Sequence, residues 1–397
     1  MKFVVDAWSK GGGRAGVLQV GSCPALIETP ALLLSTRKAL PNFIPPDLLR
    51  SLPSPDSRLL QFSPLHFLEG PSANTISDIG GVRSLVSLHE FGFAAIPRDS
   101  TAILPEFDCT NKLGASFNTP SGRHLLKPAE YMRMLAAMKP DIWASLSDEV
   151  PSRATDKRNK LSVDRTVKWL DECIALSPPG TAGFGAIVGG WDALERQRCA
   201  QEVAKRNVSG YWIGGFGLEE TSDQITSQLL RVVVENLPEE KPRLVSGLGL
   251  PEEVLRGVAQ GIDLFDSAYI HQLTTGGFAL TFPFEAAKRH SISDGMSDGT
   301  KINLRADVYR KDTSPIMKSC HCYTCMNHTK AYINHLLNVR EMLAQTLLEI
   351  HNTYHYLGFF QFIRRVVKEG RFQEFHQEFI ETRRGHSRVV PADDVCA

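Results

Sequence analysis

The sequence has no excess of charge in either direction. Lys plus Arg and Asp plus Glu are each 44 in 397 residues, so the formal net charge is zero. A dedicated nucleic-acid binder usually carries a basic surplus, so any contact with RNA is expected through a local patch or a larger assembly. No run of about 18 apolar residues occurs, and a transmembrane helix is not expected. The first residues, Met1 to Ser22, lack a basic stretch followed by a long apolar one. No secretory signal is therefore expected, and the expected location is the cytosol. No G-x-G-x-x-G opens a helix, which removes the main sign of a dinucleotide fold. What is present is ordinary for a globular chain: 42% hydrophobic, 22% charged and 8% aromatic residues. That composition excludes wholesale disorder and collagen-like structure.

Apolar patterning divides the chain. Lys2 to Asp6 and Gly16 to Val20 read as two strands around Gly11-Gly12-Gly13, a hairpin signal. Pro41 to Pro64 is proline-rich and predicts a long surface loop. From Ser121 short apolar runs alternate with amphipathic stretches. The runs are Ile142–Leu146, Phe184–Val188, Tyr211–Ile213, Leu244–Ser246 and Ile262–Phe265. The stretches are Val163–Leu176, Asp192–Arg206, Thr221–Leu237 and Glu252–Gln260. Repeated strand-then-helix units imply a parallel sheet. Several strands end in polar or glycine residues, where a closed barrel keeps its site. The expected fold is an α/β (β/α)8 barrel with an N-terminal β-rich layer and a zinc-binding C-terminal helical subdomain. Its expected divisions are 1–120, the β-rich layer and start of the barrel; 121–305, the barrel body; 306–384, the zinc-binding helices; and 385–397, a disordered polar tail. In the helical part the pattern predicts one helix over Thr329–His351 and another over Tyr356–Glu369.

Five of the eight cysteines are scattered and read as thiols in a reducing compartment. The other three form Cys320-x-Cys322-x-x-Cys325. Three thiolates this close can converge on one tetrahedral ion, with a fourth ligand from elsewhere. The candidates are His321, His328, His335, His351 and His355; His328 is a fair local one, and His351 can return if its helix folds back. Four filled positions make such a zinc structural. Asp148 and Asp266 follow apolar runs, where two carboxylates can act as nucleophile and recognition group or merely cap helices. Gly214-Gly215 lets a flat ligand approach the backbone, or simply makes a turn. Basic residues gather at Arg153, Lys157, Arg158, Lys160 and Arg165, at Arg364, Arg365, Lys368 and Arg371, and at Arg383 and Arg384. They read as solvated faces or as an RNA-backbone surface.

Together these segments resemble the tRNA-guanine transglycosylase family, from about Leu88 to Arg384. The Cys320–Cys325 cluster with Ala331-Tyr332-Ile333-x-His335-Leu336 and Glu349-Ile350-His351-Asn352 is similar to its zinc segment. Gly247-x-Gly249-x-Pro251-Glu252-Glu253 and Gly261-Ile262-Asp263-x-Phe265-Asp266 are similar to its nucleophile segment. Ser147-Asp148-Glu149 resembles its base-recognition strand end, and Tyr211-x-x-Gly214-Gly215 the glycine turn beneath the base. The resemblance implies His351 as fourth zinc ligand, and a reaction in which an aspartate attacks ribose C1′ of an anticodon guanine and a 7-deazaguanine base replaces it. The departures are as informative. The proton-transfer loop is Ile96-Pro97-Arg98-Asp99-Ser100-Thr101, where Asp99 alone could stand in. Base-reading glutamines are replaced by Ile187-Val188, and the tRNA-reading segment after the nucleophile by Tyr269-Ile270-His271-Gln272. A nucleophile without its supporting groups is expected to be slow or silent. Asp266 and Asp99 are thus vestigial catalytic candidates, and Asp148, Gly214 and Gly215 a remnant of a base site.

This pattern is similar to the non-catalytic branch of the family. It implies a heterodimer with a catalytic queuine tRNA-ribosyltransferase subunit, and admits a homodimer when that subunit is absent. It further implies contact with GUN-anticodon tRNAs through the complex, and a cytoplasmic location with peripheral association to the mitochondrial outer membrane. The alternatives are an active transglycosylase using Asp266 with Asp99 or Asp148, a module that holds queuine without turnover, and a zinc-stapled scaffold that binds only a partner protein.

Overall fold

The computed structural model describes residues 1–21, 23–219, 222–284 and 300–387, with side chains described as far as residue 382. Cys396, most of the expected polar tail and the side chains of Arg383 and Arg384 lie outside the described residues. The chain forms two compact units. One holds 1–8, 12–42 and 54–268; the other is built mainly from Tyr269 onward, with 9–11 and 43–53.

The first unit begins with the expected hairpin, β1 (Lys2–Trp8) antiparallel to β2 (Arg14–Gln19), extended by β3 (Leu26–Thr29). The barrel then starts with β4 (Ala31–Ser35), β5 (Leu59–Phe62) and β6 (Gly92–Ala95). A small antiparallel sheet follows, of β7 (Leu104–Pro105), β8 (Ala115–Thr119) and β9 (Gly122–Leu126). The barrel resumes with β10 (Ile142–Ala144), β11 (Ala182–Ile187), β12 (Gly210–Ile213), β13 (Arg243–Val245) and β14 (Leu264–Asp266). All eight barrel strands run parallel, and β14 closes on β4 while β6 pairs with β10. The expected barrel is present. The proline-rich span is not one long loop: β5 lies within it, its Leu59 and Leu60 fully buried. A four-residue strand is too short to show through flanking prolines.

Inward-facing Leu33, Leu59, Ala94, Phe184, Trp212 and Leu264 pack in the barrel interior. Leu18, Val20 and Ile27 of the N-terminal segment join the same cluster, so the β1–β3 sheet covers one end of the barrel. Helices outside are set by local signals. The helix Asp156–Ala175 starts at Thr155, whose side chain accepts the Arg158 N–H, and buries Val163, Thr166, Leu170 and Cys173. Val167 and Ile174 lie at the half-buried margin of that face.

In the second unit, β15 (Phe278–Leu280) pairs antiparallel with β16 (Lys301–Asn303). The two helices expected over Thr329–His351 and Tyr356–Glu369 are divided elsewhere, into Lys330–Asn338 and an unbroken Leu343–Lys368. The stop comes at Val339 and Arg340. Arg340 takes φ 61, and Glu341 N–H returns to the Leu336 carbonyl. That closes the helix with a left-handed residue that is usually glycine, so composition gave no stop signal. A final helix, Phe372–Ser387, continues past Gly385, where a disordered tail was expected. Among the described residues, no helix is long and apolar enough to cross a membrane.

Candidate functional site

A parallel barrel gathers the C-terminal ends of its strands at one mouth. Arg98 and Asp99 follow β6, Asp148 and Glu149 follow β10, Gly214 and Gly215 follow β12, and Asp266 ends β14. The expected residues therefore share one end of the barrel, but each is already engaged.

Asp148 is 1% exposed. Its Oδ1 accepts from Arg158 Nη2 at 2.6 Å, and its Oδ2 from Arg158 Nη1 at 2.8 Å and Arg165 Nη1 at 3.0 Å. The two arginines stand two turns apart on the helix Asp156–Ala175, hence on one face. Their seven-residue spacing lies within a run read as a solvated or RNA-facing surface. The structure corrects that reading for Arg158 and Arg165, which turn inward because a buried carboxylate needs paired donors.

Glu149 is buried beside it. Its Oε2 accepts from Arg98 Nη1 at 2.8 Å and from Gly215 N–H at 2.5 Å. Arg98 Nη2 donates to the Phe216 carbonyl at 2.7 Å. Arg196 holds the glycine turn from the other side. Its Nε donates to the Gly190 carbonyl at 2.7 Å, and Nη1 and Nη2 donate to the Gly214 carbonyl at 3.3 and 3.2 Å. The guanidinium lies 4.4 Å from the Phe216 ring centroid. Burial pulls Arg196 down to about 10, against the opposing field of Cys199 and Glu149. Gly215 has φ +82, and a Cβ there would lie 3.0 Å from Arg196 Nη2, so the turn needs glycine. The groups that approach the Gly214-Gly215 backbone are the protein's own Glu149 and Arg196.

Asp266 is 2% exposed. Its Oδ2 accepts from Gly247 N–H at 2.9 Å and Ser100 Oγ at 3.3 Å, and its Oδ1 from Ala268 N–H at 3.2 Å. Burial pushes its carboxyl up, while the Arg98 charge and these donors oppose the rise. Asp99 spends its oxygens elsewhere. Oδ2 meets His66 Nε2 at 2.8 Å, and Oδ1 accepts from Thr101 N–H and Oγ1 at 2.9 and 2.7 Å. Burial would raise the Asp99 carboxyl, but the His66 and Thr101 contacts outweigh it and hold it below its usual range. The residue that reaches Asp266 is Ser100, not Asp99.

A second group lies in the other unit. Cys320, Cys322, Cys325 and His351 place their ligand atoms within 4.8 Å of one another. His351 Nδ1 lies 3.8, 3.6 and 3.3 Å from the three Sγ atoms in that order. Metal–sulfur and metal–nitrogen bonds of about 2.3 and 2.0 Å in a tetrahedron give edges of about 3.6 Å. The donor set and its spacing fit a metal ion. The fold presets the histidine. Its Nε2 lies 2.8 Å from the Leu280 carbonyl, an N–H···O contact that leaves Nδ1 free to ligate. Next to it, Asn352 accepts the Leu280 N–H at 2.8 Å and donates to the Phe278 carbonyl at 2.9 Å. His328 instead stacks on Tyr332 at 5.4 Å, and His355 meets the Phe282 ring edge-on at 4.7 Å. His321 and His335 are exposed.

A family model described as queuine tRNA-ribosyltransferase matches residues 9–385. The chain belongs to the queuine tRNA-ribosyltransferase family. Several curated relatives of this family are named queuine tRNA-ribosyltransferase accessory subunit 2. The zebrafish (Danio rerio) protein is 35% identical over 77% of this chain and 81% of its own length. The human (Homo sapiens) protein is 34% identical over 75% and 79%. The tick (Ixodes scapularis) protein is 31% identical over 95% and 100%.

Within this family member, sequence reasoning missed four residues that shape the mouth: His66, Glu149 as an ion-pair partner, Arg98 and Arg196. Arg98 stood in a quoted segment and Arg196 in a quoted helix. Neither was singled out, because nothing in the local pattern marks a charged side chain as inward. The only available signal was stoichiometric: two adjacent acids, Asp148 and Glu149, beyond an apolar strand need buried donors from somewhere.

Proposed function

We propose that this chain is the non-catalytic subunit of a queuine tRNA-ribosyltransferase heterodimer. It supports exchange of guanine for queuine at the wobble position of GUN-anticodon tRNAs, with its catalytic partner performing the chemistry. One observation carries the reading: Asp99, Asp148, Glu149 and Asp266 at the barrel mouth are each already engaged by the protein itself. A nucleophile must be free to meet ribose C1′, with a proton-transfer group within reach. Asp266 is instead held by Gly247, Ala268 and Ser100, and Asp99 by His66 and Thr101. Asp148, where the resemblance puts base recognition, is saturated by Arg158 and Arg165. The accessory-subunit names of the relatives agree with this assignment.

In this reading Cys320, Cys322, Cys325 and His351 hold one structural zinc. The same reading carries a cytoplasmic location with peripheral association to the mitochondrial outer membrane. Purified alone and incubated with tRNA and labelled guanine, the chain is expected to show no incorporation above background. Mixed with the catalytic subunit it is expected to raise exchange, and Asp266→Ala is expected to leave that rate unchanged. Incorporation by the isolated chain that disappears in Asp266→Ala would establish the enzyme reading instead.

A further inference from the structure

We propose that Arg98 is an internal ligand, its guanidinium taking the place of a planar, donor-rich base between Glu149 and the Phe216 carbonyl. The inference deepens the non-catalytic reading and rests on it: it names the group that closes the base site. Three observations converge. First, the acceptors that Arg98 uses come from two strand ends, β10 and β12, which converge at the mouth. Second, those acceptors suit a flat donor edge. A guanine presents N1–H and N2–H in one plane, and a guanidinium presents the same kind of fork. Third, Arg98 is buried, with side-chain exposure of 1% on both it and Glu149, so no room remains for a second planar group on the same acceptors.

Arg98 also acts on Asp266, where its positive charge favours the ionised carboxylate. Its donors satisfy Glu149 and the Phe216 carbonyl. Arg196 sets the stage rather than competing. It fixes the Gly214 carbonyl, and its neighbour Gly215 donates to the same Glu149 oxygen that Arg98 reaches.

The proposal predicts that the site can be emptied and refilled. Arg98→Ala leaves Glu149 buried and unpaired, so its melting temperature is expected to fall below the wild-type value. Millimolar methylguanidinium, compared with matched sodium chloride, is expected to raise it again. The wild type and Arg98→Ala/Glu149→Gln are expected not to respond, since one holds its own guanidinium and the other lacks the carboxylate. Equilibrium dialysis with labelled guanine is expected to show roughly a hundredfold tighter retention by Arg98→Ala than by the wild type. A pocket closed by its own ligand binds only in proportion to its open fraction. If Arg98→Ala is soluble only when prepared with methylguanidinium and aggregates on its removal, that is the same rescue in another form.

Overturning results are equally definite: wild type that retains guanine as well as Arg98→Ala, or a methylguanidinium response no larger in Arg98→Ala than in the double variant. So is an Arg98→Ala protein insoluble with and without the probe. All of these measurements use the full chain alone and read no base exchange. They therefore fail separately from the subunit assignment, which the exchange assay tests.

Discussion

Cys322→Ser is expected to reduce bound zinc from about one ion per chain to a small fraction of that. Loss of the metal should unfold much of the C-terminal unit. The reason is the size of what the ion replaces. The apolar cluster around the ligands is small, and Cys322 and Cys325 are themselves members of it, alongside Ile333, Leu336 and Leu347. Structural zinc contributes about 10–16 kcal/mol in small zinc-dependent folds at neutral pH, comparable with the whole stability of a domain. The ion would tie three pieces together: the Cys320–Cys325 turn, the helix Leu343–Lys368 through His351, and β15 through the Leu280 carbonyl. Metal analysis and a thermal melt check this directly, with capture of the catalytic subunit as a third readout. A serine variant with unchanged zinc stoichiometry would sink the site assignment. Acid should act like the mutation, because protons compete with the metal for thiolates and imidazole, so zinc release is expected as pH falls.

Legibility followed what each feature depends on. The metal group was readable because three of its ligands are local, and local spacing is a sequence property. His351 came from resemblance, since its approach depends on a helix folding back 26 residues after Cys325. The barrel was readable where strands alternate with amphipathic helices, from β10 to β14. It was not readable at β5, whose four residues sit among prolines. The helix break at Arg340 was missed because the left-handed position holds arginine where glycine would have announced it.

The barrel mouth was the least legible part, for a general reason. Position after a strand predicts that a residue faces the mouth, and Asp148 and Asp266 do. Whether a carboxylate there is free depends on side chains from distant parts of the chain. Arg165 reaches Asp148 across 17 residues, Arg98 reaches Glu149 across 51, and Ser100 reaches Asp266 across 166. Such pairings carry no local period. They also change what the balanced charge means: part of the basic complement serves as internal counterions, so its count says little about the surface offered to RNA.

The same logic at the opposite end of the barrel gives the other large expected effect, from Asp263→Ala. Asp263 is fully buried just before β14, and Arg14 on β2 is buried against it. Arg14 Nε meets Asp263 Oδ1 at 2.8 Å and Nη2 meets Oδ2 at 2.6 Å, a two-pronged pair. Arg243 N–H donates to Oδ2 at 2.8 Å. The remaining Arg14 donors reach the Glu239 carbonyl at 2.6 Å and the Lys241 carbonyl at 3.1 Å. Phe3 and Trp8 of β1 flank the guanidinium at 5.5 and 5.6 Å. One ion pair thus fastens the N-terminal sheet to the barrel end it covers. Removing the carboxylate strands a buried cation, which costs about 3–5 kcal/mol. For a unit of this size that lowers the melting temperature by roughly 10 °C. Replacing both partners together, as in Arg14→Met with Asp263→Leu, is expected to cost less than the single change, because Arg14 is no longer left as an unpaired buried cation. A thermal melt of both variants tests the argument. If the double variant melts at or below Asp263→Ala, the pair holds the sheet by its shape and packing rather than by mutual neutralisation.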